Sequence, residues 1–273
     1  MRTPSGSLLT VETPGYAGLV HVREDGPADG RVLVLLHGFS GSLHWYDLVV
    51  PLLADTFRLV RVDLLGHGST GGAAADAPVQ AQAVAAVLEQ LDVHDAVAVG
   101  HSFGADVAVE LAENDDRVTG LVIVTQAPDY SDAVLPRGNR LMTLPVLGAA
   151  MYRSAVPLAM GLSAVVGRVR PTQRQLAAQA VADFRALTPG MFRVVLTKRR
   201  ARMARRPLDA QVRDSGKATL VILGERDHFY GARSAPRYRA AGARVEILAE
   251  SGHSPLVELP ERMAALIAGF AAP

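Results

Sequence analysis

Residues 96–112 read AVAVGHSFGADVAVELA. An apolar run stops at Gly100, Ser102 stands between His101 and Phe103, and helical spacing begins at once. The run reads as a buried strand and the segment from about Phe103 to Glu113 as a helix. A strand that turns this abruptly into a helix needs small residues at the corner. Gly100 and Gly104 supply them, and the turn lifts the Ser102 hydroxyl clear of the backbone. A serine placed for solubility would not need such a corner.

The same alternation runs along most of the chain. GLVHVRED reads as a strand leading to the turn GPADG; RVLVLL ends at HGFSGS; FRLVRVD ends at LLGHGST. QAQAVAAVLEQLDV carries helical spacing through Val84, Val87, Leu88 and Leu91. VTGLVIVTQ, ATLVILG and RVEILAE are further strands, with helices near 232–241 and from about Pro260 to Phe270. Apolar strands separated by helices predict a mostly parallel, doubly wound α/β sheet covered on both faces.

The alternation breaks after Gln126, and residues 128–212 hold no clear strand. PTQRQLAAQAVADFRAL opens with a capping box, Thr172 to Gln175, followed by the stripe Leu176, Ala180, Phe184 and Leu187. TPGMFRVVL restarts with Thr188 as N-cap and Pro189 at the first helical position. The expected organisation is a core of residues 1–127 and 213–273 with a helical cap, 128–212, inserted after the sixth strand. A chain of 273 residues is long enough for that.

Composition excludes several classes. A net charge of +1 argues against general attraction to nucleic acid or anionic membranes. With no cysteine there is no disulfide framework, thiolate metal site or Cys nucleophile. MRTPSGSLLTVETPG lacks the apolar centre of a secretory signal, so a cytoplasmic setting is expected. The apolar stretch 141–167 is broken by Pro145, Arg153 and Pro157 and reads as helices over an apolar cavity, without stable membrane insertion. The basic run TKRRARMARRP, residues 197–207, reads as a solvated helix face. Neither an H-E-x-x-H nor a Walker-type phosphate loop occurs, so no metal or nucleotide cofactor is expected.

Ligands of parallel sheets bind at the carboxyl ends of the strands. HGFSGS, GHSFG, GERDHF and SGHSP all sit there. GHSFG fits G-x-S-x-G, the nucleophile elbow, with a helix N-terminus beneath it that favours developing negative charge. A serine hydroxyl needs a positioned base. His253 follows the last strand, where a loop carries the ring over the sheet, and imidazole titrates near neutral pH. The other histidines fit less well: His101 adjoins the serine but should point away, His37 and His67 belong to turns, His228 adjoins the acid, and His21, His44 and His94 follow no late strand. Asp227, just beyond the preceding strand, would hold the imidazole tautomer, with Asp129 as the rival acid. Asp63 reads as a turn former.

These residues together resemble the α/β-hydrolase superfamily, in its capped single-domain branch. The order Ser102, Asp227, His253 matches its Ser, acid, His order. HGFSGS resembles its oxyanion loop, DLLGHGST its D-x-x-G-x-G-x-S turn, and SGHSPLVELPERMAALIAGF its histidine loop and last helix. The likeness runs from about 18 to 126 and from 213 onward, outside the cap; Ala105 stands where many relatives carry another Gly. The resemblance implies an oxyanion hole from the backbone amides of Phe39 and Phe103, with no cofactor. Haloalkane dehalogenases and epoxide hydrolases of this superfamily carry Asp at the elbow, and Ser102 argues against both. The expected activity is hydrolysis of an ester, thioester or lactone of a largely apolar small molecule. Carbon–carbon hydrolysis, perhydrolysis or elimination on the same triad, and a non-catalytic binding member of the fold, are the alternatives. Oligomeric state is left open.

Overall fold

Strands buried on both sides cannot alternate polar and apolar residues, and the central strands here do not. The computed structural model describes residues 6–131 and 171–272, with Ala133, Leu141, Thr143, Leu144, Val146, Ala150 and Ser154 between them, and side chains of the second segment from 178. Eight strands form one sheet: β1 (Ser7–Thr13), β2 (Tyr16–Asp25), β3 (Arg31–Leu36), β4 (Phe57–Val62), β5 (Ala96–His101), β6 (Val118–Val124), β7 (Ala218–Gly224) and β8 (Arg244–Leu248). Their order is β1-β2-β4-β3-β5-β6-β7-β8. β1 and β2 form an antiparallel hairpin, β2 also runs antiparallel to β4, and every other pair is parallel.

Successive strand residues serve opposite faces. Val32, Val34 and Leu36 of β3 pack with Val84, Val87 and Leu88 of α1 (Ala77–Gln90) and with Val107, Ala108 and Leu111 of α2 (Phe103–Asn114). Leu33 and Leu35 point the other way, joining Val97, Val99, Leu220 and Ile222 beneath the helical turn Val50–Leu53 and the last helix. Full burial of each such Val or Leu contributes about 1.5–3 kcal/mol.

The sequence reading overlooks β1. Only Val11 of that strand is buried and Leu8 is half-exposed, so an edge strand leaves little apolar pattern to read. Between β6 and β7 lie the helices α3 (Pro171–Ala186), Gly190–Arg193, α4 (Arg199–Arg205) and α5 (Leu208–Ser215). A wider, π-helical turn at Val194–Lys198 runs directly into α4. After β7 come α6 (Ala235–Ala240) and α7 (Pro260–Ala271). The stripe residues Phe184 and Leu187 are buried, whereas most of the apolar stretch 141–167, with Pro145, Arg153 and Pro157, and the side chains of Thr172, Gln175 and Leu176 lie outside the described residues. Among the described residues no helix is long and apolar enough to cross a membrane.

Two local expectations change. Thr188 does not cap the next helix: its hydroxyl donates to the Gly72 carbonyl at 2.7 Å, and Pro189 is the cap residue. The basic run is a solvated face only in part: Lys198, Arg200 and Arg205 are exposed, but other members are tied to the core. Arg199 is fully buried against Asp106 of α2, its Nε 2.9 Å from both carboxylate oxygens. Arg202 reaches Glu110 at 2.6 Å, and Arg206 reaches Glu113 at 2.6 Å. The acids stand four and then three residues apart on one face of α2, opposite basic residues three and then four apart, so each set keeps to one helical face. The partners lie some ninety residues upstream, which is why the run looks solvated in isolation.

Candidate active site

Ser102 follows β5 directly and precedes the first residue of α2, with φ 50° and ψ −120°. A non-glycine residue held there costs about 1–3 kcal/mol, and the surrounding chain enforces it. A Cβ on Gly104 would strike the carbonyls of Leu36 and His37, and one on Gly100 would strike the backbone of Gly104 and Ala105. The corner therefore closes only with glycine at both places. Phe103 occupies the first helical position, where an N–H has no intrahelical acceptor.

His253 and Asp227 reach this corner from the loops after β8 and β7. His253 Nε2 stands 3.1 Å from Ser102 Oγ, and Nδ1 stands 2.8 Å from Asp227 Oδ2. The other carboxylate oxygen accepts from the amides of Phe229 at 2.8 Å and Tyr230 at 3.3 Å. Burial alone would raise the Asp227 carboxyl; the His253 bond and charge and the two amides outweigh it and hold the group below the usual carboxylate range. An ionised Asp227 fixes the proton on Nδ1 and leaves the Nε2 lone pair facing the serine. His101, Phe229 and Tyr230 surround the His253 ring at centroid distances of 5.2, 5.1 and 5.8 Å.

The rival acid is elsewhere. Asp129 binds Arg237 at 2.8 Å and the Ser131 amide, and it makes no bond to His253. Asp63 does more than form a turn: buried, it accepts from His21 Nδ1 and from the amides of Leu43 and Ser69. It thereby ties β2, the segment after HGFSGS and the turn 64–70 together. Phe39 lies in the loop after β3, and Gly38 beside it is so close to the elbow that a Cβ would sit 3.1 Å from Ser102 Cβ. The loop after β3 thus approaches the serine at Gly38, beside Phe39. Phe39 also meets Phe192 of the insertion edge-on at 4.8 Å, and Phe192 meets Phe184 at 6.3 Å, so the insertion brings an aromatic wall to this rim. Among the described residues no group of three or more His, Asp or Glu side chains is arranged to hold a metal ion.

His101 makes no bond to Ser102, as expected, yet it belongs to the site. Its Nε2 bonds the backbone carbonyl of His253 at 2.7 Å, and Thr125 Oγ1 bonds the same oxygen at 2.9 Å. Thr125 and Gln126 are the polar residues that end the apolar run of β6, a fifth cluster at a strand's carboxyl end that the sequence offers and the reading passes over.

The chain is 26% identical over 268 residues to a Bacillus subtilis (strain 168) protein provisionally named 2-succinyl-6-hydroxy-2,4-cyclohexadiene-1-carboxylate synthase, covering 91% of this chain and 93% of that one. It is 29% identical over 254 residues to the pimeloyl-[acyl-carrier protein] methyl ester esterase of Edwardsiella ictaluri (strain 93-146), covering 89% and 94%. A solved hydrolase from Pseudomonas aeruginosa PA01 shares the fold with a TM-score of 0.79 at 22% identity, over 99% of this chain and all of that one. The sequence profile described as the alpha/beta hydrolase family matches residues 33–266, and the chain belongs to that family as an enzyme of the hydrolase type.

Proposed function

We propose that the protein is a serine hydrolase that cleaves an ester, thioester or lactone of a small molecule with a large apolar part. The observation that carries this reading is the unbroken hydrogen-bonded chain from Ser102 Oγ through His253 to Asp227 at a strained elbow. Ser102 Oγ attacks the substrate carbonyl while its proton passes to His253 Nε2. Asp227 steadies the resulting imidazolium without taking its proton. The negative oxygen of the tetrahedral intermediate is held by the amides of Phe39 and Phe103; one such donor contributes about 3 kcal/mol. Collapse expels the alcohol, thiol or ring oxygen, which takes the proton back from His253, and leaves Ser102 acylated. Water, deprotonated by His253, then attacks the acyl carbonyl and releases the acid.

Residues 128–212 serve in this reading as the cap over the acyl group. Phe192 standing against Phe39, with Phe184 behind it, supports that role, because an aromatic wall excludes water from the reacting carbonyl. The methyl ester esterase among the relatives supports an ester as the substrate class.

Fluorophosphonate labelling with a nitrophenyl ester series tests the reading. Wild type labels, Ser102→Ala does not, and turnover rises with acyl length. Absent labelling, or no turnover at any length, counts against it. A second reading, elimination or carbon–carbon cleavage on the same side chains, draws on the synthase name of the Bacillus relative. Labelling without ester turnover would favour it.

A further inference from the structure

The carbonyl oxygen of His253 is held from two sides at a cost in both places. Thr125, directly past β6, has φ 47°, a left-handed conformation that a β-branched residue rarely accepts. Its amide donates to the Ile222 carbonyl at 2.8 Å, which fixes the backbone, and its hydroxyl points at the His253 carbonyl. On the other side stands His101. A carbonyl only accepts, so His101 carries its proton on Nε2. The Nδ1 left bare is buried without a partner, and it faces Gly38, where a Cβ would lie 2.8 Å away. Trp45 stacks on the ring, with centroids 5.8 Å apart. Burial pushes the His101 imidazole down to about 3, so it stays a neutral donor across the physiological range.

The loop around His253 has other ties, all to one carboxylate. Glu258 accepts from the Ser251 hydroxyl and from the amides of Gly252 and Ser254. The Ser254 amide, at 3.3 Å from Glu258, is the far side of the peptide whose carbonyl His101 and Thr125 hold, so Glu258 steadies that plane from its amide side and the two donors from its carbonyl side. Asp227 holds the ring at Nδ1 and Ser102 meets it at Nε2, but both bonds act on the ring and neither on the main chain that carries it.

We propose that His101 and Thr125 are positioning residues, a two-donor clamp on the main chain of His253 that sets where its Nε2 stands against Ser102 Oγ. With Asp227 at one end of the residue and the clamp at the other, the ring has one place to be. The strained Thr125 is explained by this role, since a relaxed φ would turn its hydroxyl away from the carbonyl. The inference rests on His253 being the general base.

Four variants test it with two readouts. Thr125→Val keeps the shape and loses the donor, while Thr125→Ser keeps the donor; His101→Leu and His101→Gln do the same on the other side. Ester turnover should fall on the order of ten- to a hundredfold in kcat for Val and Leu, with KM within about twofold, and recover to within about threefold for Ser and Gln. Amide hydrogen exchange in the segment 249–259 should accelerate in Thr125→Val and not in Thr125→Ser. Wild-type kcat and exchange in Thr125→Val would overturn the clamp, as would Thr125→Ser being equally impaired. If wild type neither labels nor turns over esters, the proposed function fails, and exchange alone then decides whether the two donors hold the loop.

Discussion

Replacing Arg199 by Met should destabilise the protein strongly although the residue is a surface-type arginine in a basic run. Arg199 and Asp106 both have zero exposure. The guanidinium donates to both Asp106 oxygens and to the Ala127 carbonyl at 3.1 Å, and it lies 4.7 Å over the Tyr130 ring. Removing it strands a buried carboxylate with the Gln126 amide at 2.6 Å and Arg202 at 3.6 Å as its remaining partners. Breaking a buried pair from one side costs about 3–5 kcal/mol; the two residual partners place this case near the lower end, about 3 kcal/mol. At about 2–4 °C per kcal/mol for a chain approaching this size, the melting temperature falls about 6–12 °C. The double variant Arg199→Met, Asp106→Leu removes both charges and should regain most of the loss, because well-packed apolar replacements of buried pairs are close to neutral. Thermal and urea unfolding of wild type, both single variants and the double complete the cycle. A shift under about 2 °C for Arg199→Met, or a double variant at the sum of the singles, would refute the reasoning.

Two further outcomes follow from the site and the buried histidines. Asp227→Asn should slow turnover on the order of ten-thousandfold while leaving the fold intact, because the amide stabilises the wrong imidazole tautomer, whereas Asp129→Asn should leave kcat nearly unchanged; equal losses would mean that the acid is misassigned. His67 donates from Nδ1 to the Leu65 carbonyl and has no partner at Nε2, and burial followed by the neighbouring His37 charge pushes it down to about 3. Between about pH 6.5 and 3 the unfolded chain therefore binds a proton at this residue that the folded protein does not, so stability falls on acidification, by about 1 kcal/mol per pH unit near pH 5.5. His67→Asn keeps a donor for Leu65 and should flatten the acid slope by that amount in urea unfolding at pH 7, 6 and 5.

Much of this is visible in the sequence because burial on two faces writes itself into a strand. RVLVLL and AVAVGH need no partner to be recognised. The edge strand β1 meets the opposite condition: it is half in solvent, and its pairing with β2 is carried by backbone bonds that no side chain reports. Ser102 and His253 are legible from local chemistry at strand ends. Asp227 and Asp129 are not separable that way, since each follows a strand; what distinguishes them is Arg237 of α6, which binds Asp129 and Asp209 together. The Arg199 pair lies between these cases. Asp106, Glu110 and Glu113 on one helix and Arg199, Arg202 and Arg206 on another are matching stripes, so the signal exists, but it is shared between two segments that only the fold brings together. The left-handed backbone of Thr125 leaves no local trace at all, because nothing in VIVTQ demands it.

The hydrogen bond between Ser102 and His253 joins residues 151 positions apart. On a ribosome adding about 5–20 residues per second, the serine is made roughly ten to thirty seconds before the histidine. During that interval β5, β6 and α2 can already pack, so the strained elbow is formed while its hydroxyl has no base beside it. In the proposed mechanism, Ser102 therefore has no base until the strand β8 and the loop after it have been made and docked. On that mechanism, completing the sheet is itself the step that switches the serine on.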